Sequence, residues 1–136
     1  MKNRREKAFD RRQKKAIECF KSAELSIGPI EKGMSIFGIT RGQFSMIDIV
    51  LYAIDELEDC ELSLWTWCIA DYEIKCVETL MNSGKLKKAT LIIDSSARGK
   101  NLDILNTWIE KFGLESVRFV VNHSKIATIK SKDLEL

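Results

Sequence analysis

The sequence has a single proline, a single histidine and only seven glycines in 136 residues. So little Pro and Gly excludes collagen-like and low-complexity chains, and a 45% hydrophobic content excludes a wholly disordered one. No apolar run approaches the roughly 20 residues that a spanning helix needs, and no apolar signal core follows the charged N-terminus, so the expected location is cytoplasmic. Neither G-x-G-x-x-G nor a Walker sequence is present, which counts against dinucleotide and nucleoside-triphosphate folds. Cys19, Cys60, Cys68 and Cys76 form no C-x-x-C pair and have only His123 as a nitrogen co-ligand. They read as buried, reduced thiols rather than a zinc site.

What is abundant is charge, unevenly placed. The first fifteen residues carry eight Lys or Arg against Glu6 and Asp10, a balance of +6, whereas positions 16–136 hold 14 basic and 18 acidic residues. The expectation is an acidic body with a basic arm. Residues 4–24 lack Gly and Pro and are rich in Lys, Arg, Glu, Gln and Ala, which predicts a long basic N-terminal helix over residues 1–25. Ile17, Phe20 and Leu25 give it a short apolar stripe suited to pairing with a second copy. The arm is also a candidate for docking on nucleic acid.

Beyond the loop marked by Gly28, Pro29 and Gly33, apolar runs alternate with helical segments. Strands are expected at 34–40, 62–69, 89–94, 117–121 and 125–129, and helices at 45–58, 72–82 and 102–112. This order predicts an α/β domain over residues 26–136, its mainly parallel or mixed sheet flanked by helices on both faces. In such folds ligands bind outside the carboxyl ends of the strands. Arg41 and Ser45 fall in the first loop there, where Ser45 and Asp48 have capping-box spacing, and Arg98 and Lys100 fall in the third. The three cations are expected to face one crevice. Trp65, Trp67 and Phe44 read as core.

The segment Asn122-His123-Ser124-Lys125 sets the only histidine two residues before a lysine. In extended chain both point to one face. A neutral imidazole there can attack phosphorus while the ammonium holds the non-bridging oxygens.

Taken in order, Gly42-Gln43-Phe44-Ser45-Met46-Ile47-Asp48, Leu64-Trp65-Thr66-Trp67 and Asn122-His123-Ser124-Lys125-Ile126-Ala127 resemble the phospholipase D superfamily, and most of all its compact phage and mobile-element members. The likeness spans about residues 34–130. It implies a phosphodiesterase or nuclease in which one H-x-K histidine is phosphorylated and a second protonates the leaving group, with no metal and no cofactor. Because this chain has one half-site, the resemblance implies a homodimer with the site on its two-fold axis. His123 would be nucleophile or general acid and Lys125 the phosphate ligand, with Gln43 and Thr66 lining the crevice. Members of this type continue into a further strand and a small Gly/Ser/Asn segment, so the domain is expected to be incomplete at its C-terminus. The alternative is a non-catalytic descendant that keeps the crevice and binds nucleic acid or protein.

Overall fold

The structure is a computed structural model that describes residues 13–18, 21–132, 134 and 136. The chain divides into two compact units, Met1–Tyr52 and Ala53–Leu136.

In the first unit, β1 (Gln13–Glu18) pairs in parallel with β2 (Met34–Ile39), from Gln13 opposite Met34 to Glu18 opposite Ile39. The long helix expected over 4–24 is therefore corrected across 13–18, which is strand. Helix propensity is a weak preference, and a parallel partner that satisfies the backbone N–H and C=O groups overrides it. Ile17 accordingly lies in a strand, so the apolar stripe with Leu25 is not formed. Residues 1–12, and Cys19 and Phe20, lie outside the described residues. Helix α1 (Ala23–Ile27) begins where the Ser22 hydroxyl accepts from the Leu25 amide at 3.2 Å.

β2 leads into a tight turn in which the Gln43 amide donates to the Thr40 carbonyl at 3.0 Å. Its two central residues, Arg41 and Gly42, have φ of 51° and 74°, the pairing of positive angles that a type I′ turn requires. Helix α2 (Met46–Glu56) follows.

The second unit holds β3 (Cys60–Thr66), α3 (Asp71–Asn82), β4 (Leu86–Asp94), the short α4 (Ala97–Lys100), α5 (Leu102–Phe112), β5 (Val117–Val120) and β6 (Ile126–Lys130). Its four strands form one mixed sheet in the order β5-β4-β3-β6. β3, β4 and β5 are parallel, and β6 returns antiparallel to β3. The two crossovers step across the sheet in the same direction, so a common right-handedness puts α3 and α5 on one face. They meet there, and the Lys111 ammonium donates to both Glu78 oxygens at 2.9 Å.

Alternation along β3 sends Leu62, Leu64 and Thr66 to the interior, with Glu61 and Trp65 exposed. Ile74, Val77 and Leu80 of α3 and Leu105 and Trp108 of α5 are buried as well. Trp108 is fully enclosed, and its indole N–H donates to the Ser116 hydroxyl at 2.9 Å. Gly113, at φ 88°, closes α5 with its amide on the Ile109 carbonyl. Cys60 is buried, which raises its thiol above the usual range, with Asp59 adding to the rise, whereas Cys68 is exposed. The expectation that all four cysteines are buried thus holds at Cys60 and is corrected at Cys68, which lies past the end of β3, and at Cys76, which is half-buried, while Cys19 lies outside the described residues. Among the described residues no helix is long and apolar enough to cross a membrane.

Candidate functional site

The order of the strands determines what happens to the segment between β5 and β6. β5 ends at Val120 beside Asp94, the last residue of β4. β6 begins at Ile126, which faces Trp65 near the carboxyl end of β3. To go from one edge of the sheet to the other, residues 121–125 must cross over the carboxyl ends of β4 and β3. Three inter-strand spacings of about 4.8 Å make a gap of about 14 Å. Six Cα steps cover at most about 20 Å, so this strap has little slack.

Its first anchor is β4. The Asn122 amide donates to Asp94 Oδ1 at 2.9 Å, and the Ser95 amide donates to the Val120 carbonyl at 2.8 Å. Asp94 Oδ2 accepts from the Ser96 amide at 3.1 Å and from the Ser96 hydroxyl. Only 6% of Asp94 is exposed. The Ser96 hydroxyl first, then the amides of Asn122 and Ser96, bring its carboxyl down to about 2, with a smaller contribution from the charge of nearby His123. Asp94 is therefore an ionised clamp that fastens the strap to the sheet.

A second bend follows at once. The Asn122 side-chain oxygen accepts from the Ser124 amide at 2.9 Å and from the Ser124 hydroxyl, a local turn of the Asx kind. The Asn122 Nδ2, itself buried, finds no acceptor among the described residues.

His123 stands between these two anchors and is exposed. Its ring lies 6.0 Å, centroid to centroid, from the indole of Trp67, which follows β3, at an interplanar angle of 34°. The imidazole thus has an ionised carboxylate on the β4 side and an aromatic ring on the β3 side. Lys125 has a different neighbour: its ammonium is 3.7 Å from Glu73 Oε1. The other oxygen of Glu73 accepts from the Ala70 amide at 2.9 Å, closing the first turn of α3.

The remaining candidates are distributed over both units. Thr66 is buried, and its hydroxyl donates to the Cys68 carbonyl, fixing the bend at Trp67. The Arg98 guanidinium lies 3.8 Å above the centroid of Phe119. Lys100 lines a shallow depression of about 360 Å³ together with Asn101 and Asp103 at the start of α5. In the first unit, the Ser45 amide and hydroxyl both donate to Asp48 Oδ2, at 2.7 and 2.9 Å, so the carboxylate half of the capping box expected there is formed, with the hydroxyl turned to the same carboxylate. The Asp48 carboxylate already occupies the donors that an anion would use. Gln43 accepts from the Lys21 amide, and Arg41 is exposed in the turn.

Two members of the site are not among the sequence candidates. Asp94 needs the strap to reveal its role, although Asp94-Ser95-Ser96 after an apolar strand is already a signature of side-chain capping. Trp67 reads as core from its apolar surroundings, but it is 50% exposed, because it follows the end of β3 at the same parity as the exposed Glu61 and Trp65.

No protein-family model, no curated protein and no solved structure matches the chain.

Proposed function

We propose that the chain is a metal-independent phosphodiesterase of the phospholipase D type, acting on nucleic acid as a homodimer. The observation that carries this reading is the exposed His123 at the carboxyl rim of three parallel strands, flanked by ionised Asp94 and by Trp67. A lone imidazole beside a held carboxylate, two residues from an ammonium, suits a nucleophile for phosphorus. The neutral His123 ring attacks. A P–N bond forms, the P–O bond to the leaving alcohol breaks, and the imidazolium of the second copy gives its proton to the departing oxygen. Water then attacks phosphorus and passes a proton to that now neutral ring, while the P–N electrons return to His123. Lys125 leaves Glu73 to hold the non-bridging oxygens, and Arg98 and Lys100, beyond the end of β4, add positive charge on the same side.

The test is cleavage of a single-stranded oligonucleotide in excess chelator. The wild-type chain is expected to cleave it, and His123→Ala to be slower by a factor on the order of 100 or more. Equal rates in the two proteins, or no cleavage by the wild type, would overturn the proposal.

A second reading has one observation in its favour. Lys125 is engaged by Glu73, and Arg98 is laid over Phe119, as in a module that binds phosphates without cleaving them. Salt-sensitive binding of nucleic acid, with no turnover in the same chelated buffer, is the outcome that selects it.

A further inference from the structure

We infer that Trp67 is a stacking platform for a nucleobase, so that the strand offered to His123 is single-stranded nucleic acid with its bases unpaired. This rests on the phosphodiester reading of His123 and specifies its substrate class.

Trp67 is half open to solvent and belongs to no strand, yet its position is well defined. The bend that carries it is fixed by the buried Thr66 hydroxyl on the Cys68 carbonyl, and its ring sits 6.0 Å from that of His123. A base is joined to the phosphate of its own nucleotide through one sugar. A phosphodiester at His123 therefore brings an adjacent base within reach of the indole.

The surroundings favour such a ligand over an apolar partner surface. Asp94, Ser96, Asn122 and Ser124 make the rim polar, and Lys125 supplies a cation on the same strap. An aromatic face with a cation on the adjoining strap is the combination that single-strand binders use, a base on the ring and, once Lys125 leaves Glu73, its phosphate on the charge. In a duplex the base faces are covered by their neighbours, so the platform discriminates against paired nucleic acid. It is tolerant of sequence, since every base has a π-face.

The experiment measures fluorescence anisotropy of three labelled probes in chelator at low salt: a short oligothymidine, the same backbone with abasic residues, and a duplex. Cleavage is followed on the same samples. The wild type is expected to bind oligothymidine more tightly than either other probe. Trp67→Ala should weaken oligothymidine binding roughly tenfold or more and leave the abasic probe little changed, while Trp67→Tyr keeps most of the affinity. Because the side chain is half exposed, the alanine variant is expected to keep its fold, which thermal denaturation checks.

His123-dependent cleavage by a wild type that binds the abasic strand as well as oligothymidine overturns the stacking inference and leaves the phosphodiesterase reading standing. Trp67→Ala binding oligothymidine as tightly as the wild type does the same. Trp67-dependent binding without cleavage supports the platform and overturns the phosphodiesterase. A wild type that neither binds nor cleaves any probe overturns both.

Discussion

Asp94 does at the level of one residue what the strap needs. Three donors converge on its two oxygens, so the carboxylate is held ionised far below the ordinary 3.8 of an aspartate, at about 2. A group depressed in this way contributes stability that is fully present above its unfolded value and is lost as pH falls through its folded one. For Asp94 the window is between about pH 4 and about pH 2. Replacement by Asn keeps the size but cannot satisfy three donors equally well. The melting temperature of Asp94→Asn is expected to lie below that of the wild type at neutral pH, and the gap to narrow as the pH is lowered through that window. A gap that stays constant from pH 7 to pH 2 would show that the charge of Asp94 does not stabilise the fold. The clamp is hard to read from sequence because its partners come from positions 96 and 122, and nothing in the local pattern around position 94 points 28 residues ahead.

Among the elements, those with strong periodicity are legible. The spacing of Ile74, Val77 and Leu80 and of Leu105 and Trp108 marks α3 and α5, and the apolar run from Leu62 to Ile69 marks β3. That run reads as a strand buried on both faces, whereas β3 ends at Thr66 and leaves Glu61 and Trp65 exposed. The element that composition misreads is β1. Gln, Lys, Ala and Glu favour helix when considered alone, and the pairing with β2 is a non-local event that propensity does not contain. In the second unit, α5 is locked by a contact at its own exit. The Trp108 indole N–H donates to Ser116 Oγ, which in turn donates to the Gly113 carbonyl at 2.6 Å. Ser116→Ala strands that buried N–H, and a loss of about 1–3 kcal/mol in unfolding free energy is expected in urea titrations. A change under about 0.5 kcal/mol would mean that the indole finds another acceptor.

For the molecule as a whole, the α/β order of strands and helices from position 34 onwards is available from hydrophobic patterning, whereas the division into a two-stranded and a four-stranded sheet is not. Patterning reports which residues are inside, but not which strand edges join. The site follows the same rule: His123 and Lys125 stand out as residue types, while the neighbours that give His123 its setting, Asp94 and Trp67, come only from the strand order. The proposed function, in which each chain contributes one histidine, also has a consequence in solution. If two copies must each supply a histidine, specific activity should rise with protein concentration until the dimer is saturated, and sedimentation or light scattering should show dimer over the same range. Constant specific activity from a monomeric species would exclude the shared site.

Because the histidine is carried on the link between the last two strands of the sheet, a nascent chain can complete the parallel strands β3, β4 and β5 and still have no site. Only when β6 docks on β3 is the imidazole drawn over the ends of its neighbours. Amide exchange at Asn122 should then follow the opening of β6 rather than that of the parallel strands, which would make the return strand the latch on which any reactivity depends.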